Sequence, residues 1–562
     1  GRPAGPALRL GVLGGRDPVE GNRHGPYSVS SSVGLDGAHG GRGGSIPARS
    51  RIEKGASGIG EAAGGRCGCR GRPDERARMF SGTTDFHRWF EQVCQVQACE
   101  VTRVPLDRLD GWSLGEGTGN LVHRSGRFFS VQGLDVTRSG RAVDAWQQPI
   151  IVQPEQGILG ILVKEFGGVP HCLLQAKMEP GNAVPVQLSP TVQATRSNYT
   201  GVHGGRPVPY LDHFLTPGRG RVLSDALQSE QASWFFAKRN RNMIVRTDED
   251  IPLLDEFCWL SFDQIAELLQ TDDLINMDTR TVLSGAVGLR PPAATTRATP
   301  DPDSFHGALA ASWEPQGRRL NDTAALLRHL AQAKERCTLT RRLIPLADTA
   351  RWSVRDGVIA HDEGRHFTVL GVRVEDSHRE VPGWSQPMFM PNSQGVAAFL
   401  AKRVDGVLHL LVQARVETGA LARVELAPTV QCQPADHAPG AQHGPRPVPR
   451  LEFLDTVLSA RPDRIRFDTV QSEEGGRFYH ARIRYALVEA DEDFPLQVPP
   501  DFIWMTVRQL IGFVRHGSHL NVEARTLLAL LGFLPATPAA VPAAVPAAVH
   551  PRQPAGTAPA HA

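Results

Sequence analysis

An α+β fold built as a tandem duplication is predicted by two observations. The second half of the chain repeats the first in register, and each half carries short alternating strands bracketed by amphipathic helices. With an offset of 238, Val186-Gln187-Leu188-Ser189-Pro190-Thr191-Val192-Gln193 falls on Val424-Glu425-Leu426-Ala427-Pro428-Thr429-Val430-Gln431, six identities in eight. The same offset sets Trp146 on Trp384, Pro149 on Pro387, Gly126 and Arg127 on Gly364 and Arg365, and Leu173-Leu174-Gln175-Ala176-Lys177 on Leu411-Val412-Gln413-Ala414-Arg415. It becomes 240 at Arg206-Pro207-Val208-Pro209, 243 at Gln228-Ser229-Glu230, and 245 where Trp259, Asn276 and Arg280 meet Trp504, Asn521 and Arg525. Insertions of two or three residues belong in surface loops.

Each repeat opens on a helix. Asp85 is the expected N-cap before Phe86, Trp89, Phe90 and Val93, and in the second copy the helix runs from Asp322 through Ala325, Leu326, Leu330 and Ala333. Strands are expected over 128–136, 157–163 and 171–177, with counterparts at 367–374, 395–402 and 408–415, and closing helices over 261–269 and 506–513. These give a first repeat over 79–300 and a second over 301–534, a mixed or antiparallel sheet with flanking helices twice over, packed about a pseudo-two-fold axis.

The ends read differently. Residues 1–78 are Gly- and Arg-rich with almost no aromatics, too poor in apolar surface to offset chain entropy, and are expected to be disordered and not native. Met79 is the first methionine and the expected natural start. The tail over 535–562 repeats Val-Pro-Ala-Ala and is expected to be disordered.

Composition excludes several classes. At 562 residues the chain is roughly four domain lengths, and its charges cancel to +2, against a nucleic-acid or anionic-membrane partner. The most apolar stretch, 149–163, is broken by Gln153, Pro154, Glu155 and Gln156, so no membrane span is expected. Cys67 and Cys69, Cys94 and Cys99, and the single Cys172, Cys258, Cys337 and Cys432 fit neither a zinc site nor a disulfide scaffold. A reduced, cytoplasmic protein is expected. The chain lacks a phosphate-binding Gly-rich loop, a dinucleotide fingerprint, a nucleophile elbow and a His-Glu-x-x-His pair, so its chemistry is expected to need no NAD, pyridoxal phosphate or metal.

Two constellations carry candidate chemistry. Gln187, Ser189, Thr191, Gln193 and Thr195 alternate and would share one strand face, either as a pocket wall for a hydroxyl-rich ligand or as a solvated sheet face. Thr429 and Gln431 keep the pattern in the second copy. After Gln228-Ser229-Glu230, Arg239 and Arg241 would lie side by side on a strand, as would Arg482 and Arg484; such pairs bind a diphosphate bidentately, or carboxylates of the same protein.

From 79 to 534 the chain resembles the NDP-hexose 2,3-dehydratase family. The resemblance rests on Gly157-Ile158-Leu159-Gly160, Gln175-Ala176-Lys177-Met178-Glu179-Pro180-Gly181-Asn182, the run Gln187 to Thr195, Ser197-Asn198-Tyr199-Thr200 and Gln471-Ser472-Glu473-Glu474-Gly475-Gly476-Arg477-Phe478-Tyr479. It implies two Nudix-like modules, a homodimer, and 2,3-dehydration of a thymidine-diphospho-4-keto-6-deoxyglucose, with a ketoreductase acting downstream. Glu473-Glu474 sits in a Gly-rich segment without the Nudix hydrolase box, which disfavours metal-dependent pyrophosphate cleavage. A non-catalytic nucleotide-sugar binding module is the other reading.

On that basis Tyr199 and His203 are the acid–base candidates, and Lys177 or Asn198 would stabilise an enolate. Arg239 and Arg241 would hold the diphosphate and Trp112 or Trp146 would stack on the base, core packing being the alternative for each aromatic. Glu179, Asn182, Gln228, Glu230, Gln471 and Tyr479 are further substrate contacts. The run Asn198-Tyr199 has no match in the second copy and Lys177 becomes Arg415, so the first repeat is expected to catalyse. The second would bind without turnover or complete the first site across an interface.

Overall fold

Each half is organised by a seven-stranded mixed sheet. A computed structural model describes residues 79–97, 99–139, 144–196, 207–289, 301–375, 383–437, 442–443, 446–447 and 451–534. In the first sheet the order is Arg221–Ser229, Arg239–Arg246, Ile158–Phe166, Val169–Met178 and Phe257–Ser261, with Val186–Pro190 added on Val169–Met178 and Val192–Ala194 on Ile158–Phe166. The second sheet repeats it as Ile465–Ser472, Arg482–Glu489, Gly395–Val404, Val407–Val416 and Phe502–Met505, with Val424–Ala427 and Val430–Cys432 in the added places. One parallel pair lies inside each sheet, Arg239–Arg246 beside Ile158–Phe166 and Arg482–Glu489 beside Gly395–Val404; the other pairings are antiparallel. The central hairpins turn at Gly167-Gly168 and Asp405-Gly406, all four with positive φ as two-residue hairpin turns require.

Two five-stranded sheets tie the halves together by exchanging a strand. Glu100–Val104 of the first repeat pairs with Phe367–Glu375 of the second, and Thr338–Ile344 of the second pairs with Ser130–Ser139 of the first. Neither small sheet is complete within its own repeat. At the centre, the helix Met277–Leu283 packs on the helix Val522–Gly532. The latter is buried along its whole length, apolar over its second half and carrying the buried polar Glu523, Arg525 and Thr526 in its first. The main core runs through both repeats, joining Leu159, Ile161, Leu174 and Val282 to Phe399, Leu410, Leu487 and Leu528.

Several element expectations need correction. The opening helix is Thr83–Val96, capped at Gly82, and Asp85 lies in its first turn, where its carboxylate accepts from Arg88 at 2.8 Å. Asp322 does cap Thr323–Arg336, accepting from the Ala325 amide. Ser261 and Thr506 cap Phe262–Leu268 and Val507–Val514 with full capping boxes, but those helices do not close the repeats. Met277–Leu283 and Val522–Gly532 follow them, and Phe305–Trp313 precedes the second repeat's first long helix.

The polar stripe is not one strand. It breaks at Pro190-Thr191, where the chain passes from the Val169–Met178 edge to the Ile158–Phe166 edge. Thr191 holds the break, its hydroxyl accepting from the Leu162 amide at 2.9 Å and donating to the Leu173 carbonyl at 2.5 Å. Thr429 does the same between Leu400 and Leu411. A threonine hydroxyl thus substitutes for backbone partners where two strands splay.

Candidate active site

The repeats lock through a pair of reciprocal turns. The Gly181 amide donates to the Gly475 carbonyl at 2.8 Å, and the His480 amide to the Gly181 carbonyl at 2.7 Å. Across the pseudo-axis the Gly419 amide donates to the Ala232 carbonyl and the Ala237 amide to the Gly419 carbonyl, at 2.8 and 2.7 Å. A Cβ on Gly181 would lie 1.9 Å from the Phe478 carbonyl oxygen, and one on Gly419 1.9 Å from that of Phe235, so only glycine permits either approach. Each repeat therefore inserts a turn, 231–237 or 474–480, into its neighbour's polar pocket.

Both pockets share a scaffold. In the first, Asn276 caps Met277–Leu283 and donates to Gln193 at 3.3 Å, and Gln193 donates to Glu179 at 2.6 Å. In the second, Asn521 caps Val522–Gly532 and donates to Gln431 and Glu417, at 2.7 and 3.1 Å. Two wholly buried arginines cross the axis: Arg280 donates to the Ser472 carbonyl at 2.7 Å and faces Glu473 at 3.7 Å, while Arg525 donates to the Ser229 carbonyl at 2.6 Å and faces Glu230. Gln187 donates to the Ser472 hydroxyl, and its counterpart Glu425 accepts from that of Ser229.

The pockets differ where their charges are free to act. In the second, both oxygens of Glu473 are occupied, by Gln231 at 2.7 Å and Tyr485 at 2.8 Å. In the first, Asn240 donates to one oxygen of Glu230 at 2.8 Å, and the other, though buried, has no partner. Asn182 Oδ1 is buried and unpartnered in the same pocket. Around them stand Lys177, Glu179, Lys238, Asp278, Glu474 and Arg477, the last two carried in by the second repeat.

Electrostatics sharpen the contrast. Burial, and then Glu474, Glu230 and Glu179, hold the Asp278 carboxyl well above the usual range. Burial raises Glu230 as well, against the pull of Arg525 and Lys238. Burial and the charge of Glu230 push Glu474 up to about 7. Burial lowers the Lys238 ammonium, which also donates to the Glu155 carbonyl. Carboxyls protonated near neutrality beside cations are what proton transfer to and from a neutral substrate requires.

The second pocket opens as a cleft of about 1810 Å³. Trp146, Gln231 and Trp234 of the first repeat line it together with Arg415, Gln431, Arg482 and Glu523 of the second. In the first pocket the matching positions are Trp384, Glu474, Arg477, Lys177, Gln193, Arg239 and Asp278.

Placement of the sequence candidates is uneven. Asn198, Tyr199 and His203 lie outside the described residues. Lys177, Glu179, Asn182, Gln193 and Glu230 come together in the first pocket, with Thr195 half-buried just past the strand Val192–Ala194. Trp146 instead faces the second cleft. Trp112 is a core residue against Phe129 whose indole donates to the Ser385 carbonyl, which leaves it no face for a base.

Arg241 is taken by Asp225 and Arg484 by Asp468, each through two guanidinium nitrogens, so these follow the internal-carboxylate alternative. Arg239 is half-buried at the start of its strand, and Arg482 pairs with Asp273. Gln187, Ser189, Gln228 and Gln471 are buried, with Gln187, Gln228 and Gln471 bonded between the repeats. Tyr479 stacks on His480 under Arg103. The reading of the sequence missed Lys238, Asp278, Glu474 and Arg477 as members of the pocket.

Comparison with known proteins agrees with this duplicated organisation. The model of the NDP-hexose 2,3-dehydratase family matches twice, over residues 83–286 and 323–531. A Streptomyces violaceoruber protein named dTDP-4-dehydro-6-deoxy-alpha-D-glucopyranose 2,3-dehydratase is 51% identical over 459 residues, 81% of this chain and 98% of its own. Proteins of the same name from Saccharopolyspora spinosa and Amycolatopsis orientalis are each 47% identical, over 80% and 81% of this chain and 91% of their own lengths. With both repeats matched and half the residues shared over nearly the whole length of such a relative, the chain belongs to the NDP-hexose 2,3-dehydratase family.

Proposed function

We propose that the protein dehydrates dTDP-4-dehydro-6-deoxy-D-glucose across C2 and C3. The observation that carries this reading is identity of 47–51% with three proteins of that name, extending through both repeats. The 4-keto group acidifies the C3 hydrogen, a base removes it, and the electron pair enters an enolate. The C2–O bond then breaks and the hydroxyl leaves as water. The resulting enol tautomerises to a 3,4-diketo-2,6-dideoxy sugar.

The first pocket is the site of this chemistry. Lys177 or Asn198 stabilises the enolate oxygen, and Tyr199 and His203 are the acid–base candidates that the sequence offers. Gln193, Glu179 and Asn182 bind sugar hydroxyls. Charge stabilisation by such groups contributes about 10²–10³ in rate per donor.

Finer features rest on the family resemblance. Each repeat is a Nudix-like module, the protein works in the cytoplasm as a homodimer, and a 3-ketoreductase consumes the unstable diketone. Among the described residues, no helix is long and apolar enough to cross a membrane.

Incubation with dTDP-4-dehydro-6-deoxy-D-glucose, without added metal or cofactor, tests the reading by mass spectrometry of the sugar. Loss of one water, followed by release of thymidine diphosphate as the diketone decays, is expected. A sugar that binds but stays intact, with no solvent deuterium entering it, would favour a non-catalytic binding module.

A further inference from the structure

The geometry points to Glu474, delivered by the second repeat into the first repeat's pocket, as the acid that protonates the departing C2 hydroxyl. The inference rests on the dehydratase reading and assigns one of its steps to a residue.

Position comes first. The turn bearing Glu474 is clamped at Gly181 by the two backbone hydrogen bonds that flank it. Its next residue, Gly475, touches the pocket floor: a Cβ there would lie 2.3 Å from Asn182 Oδ1 and 2.9 Å from Glu179 Cβ. Glu474 is half-buried, and no described residue donates a hydrogen bond to its carboxyl. It is thus the most exposed carboxyl of a cluster whose other acids, Glu179, Glu230 and Asp278, are almost fully buried.

The duplication then acts as an internal control. Lys177, Glu179, Glu230, Gln193, Asn276 and Asp278 keep a like residue in the second pocket, as Arg415, Glu417, Glu473, Gln431, Asn521 and Glu523. Scaffold and ligand binding explain groups that both pockets retain. Glu474, Arg477 and Lys238 instead face Gln231, Trp234 and Ala481. Gln231 cannot give up a proton as an acid, and it is spent on Glu473. Only the first pocket therefore has an ionisable group at this place.

The facing charges suit an acid. Burial, then Glu230 just after Arg221–Ser229 and Glu179 after Val169–Met178 favour the protonated form, while Arg477 and Lys238 oppose it; Asp278 on Met277–Leu283, its own carboxyl raised, faces the same cluster. With burial as the largest cause the balance falls at about 7, so the carboxyl holds its proton for much of the time at neutral pH. In the step, the C3 proton passes to a base and its electron pair forms the enolate. The C2–O bond breaks, the Glu474 proton joins the leaving hydroxyl as water, and Glu474 is left as a carboxylate. Solvent reprotonates Glu474 and takes the proton held by the base.

The test uses the full chain and dTDP-4-dehydro-6-deoxy-D-glucose in D₂O. In Glu474→Gln, water loss should fall by about 10²–10⁴, while deuterium still enters C3 of the unreacted sugar because enolate formation is upstream. Glu474→Asp should restore dehydration and move the alkaline limb of the kcat profile, which in the parent is expected near pH 7 from the raised Glu474 carboxyl. Dehydration by the Gln variant within threefold of the parent overturns the inference. So does loss of C3 exchange together with water loss, which would make Glu474 the base. Should Glu474→Gln not fold, an Asp variant whose alkaline limb stays in place overturns it equally. A parent protein that fails to dehydrate removes the functional reading and this inference together, whereas an active parent matched by its Gln variant removes this inference alone.

Discussion

Glu425→Gln converts a buried acid into the residue its repeat partner already carries. Glu425 is wholly buried, accepts from the Ser229 hydroxyl at 2.8 Å, and leaves its other oxygen without a partner. Burial, aided by Glu417, raises its carboxyl from 4.5 to about 7. The folded state therefore holds this proton more tightly than the unfolded chain does. The stability it contributes is full below about 4.5 and is lost as pH rises through about 7. That interval corresponds to about 3 kcal/mol.

Glutamine is neutral throughout, and at the matching position Gln187 donates to the Ser472 hydroxyl at 2.9 Å, so the variant has a ready geometry. It should gain about 3 kcal/mol at pH 8.5 and almost nothing at pH 4.5. For a chain of this size that is about 3 °C in Tm, from an unfolding entropy of roughly 2.1 cal/mol/K per residue. Calorimetry of both proteins at the two pH values measures it. An equal gain at both, or a loss at pH 8.5, would refute the burial argument.

Two further outcomes follow from the buried charges. Arg280→Met removes the guanidinium that faces Glu473 and holds the Ser472 carbonyl, leaving a buried carboxyl without its countercharge. Urea unfolding should show a loss of about 3–5 kcal/mol, and a loss below about 1 kcal/mol would contradict a structural role for the cross-axis pair. Lys238→Met removes a cation that lowers Glu474, so the alkaline limb of dehydration should move to higher pH. A limb moving the other way would show that Lys238 does not face Glu474 in the working enzyme.

The duplication and the mixed α+β character were legible because they are written in local order: the register of Val186–Gln193 on Val424–Gln431, and the alternation of the central strands. Strand exchange was not. Glu100–Val104 has the same pattern whichever small sheet it joins, and only packing decides that it pairs with Phe367–Glu375. The stripe misled because Gln187 and Gln193 do alternate, yet Thr191 hands the chain from one strand to another between them.

Arg241 and Arg484 looked like phosphate ligands because their partners, Asp225 and Asp468, lie 16 residues away on a neighbouring strand. That Trp146 lines the second repeat's cleft was hidden for a related reason. The small sheet that bears it leans on the other repeat's cleft, and no periodicity encodes that. Glu474 and Arg477 were visible as residues but not as members of the first site, because a turn has no face until its docking partner is known. The alignment at offset 243 held a usable signal, since it sets Glu474 on Gln231, Arg477 on Trp234 and Lys238 on Ala481.

Reciprocal docking also explains how the two pockets come to differ while sharing one scaffold. Each pocket takes its scaffold from its own repeat and its open-side residues from the turn of the other. A change in turn 231–237 alters the second pocket and leaves the first intact, and a change in 474–480 does the reverse. Folding constrains the glycines at 181 and 419, the buried arginines and the exchanged strands equally in both copies, because each of these holds the repeats together. Among the open-side residues Glu474 carries no such burden, being held by no described side chain, whereas Gln231 and Trp234 line a cleft and also, respectively, bond to Glu473 and pack on Phe478. Divergence is therefore cheapest in structural terms at the position of Glu474, and a duplicated fold can specialise one site without reopening the core on which both depend.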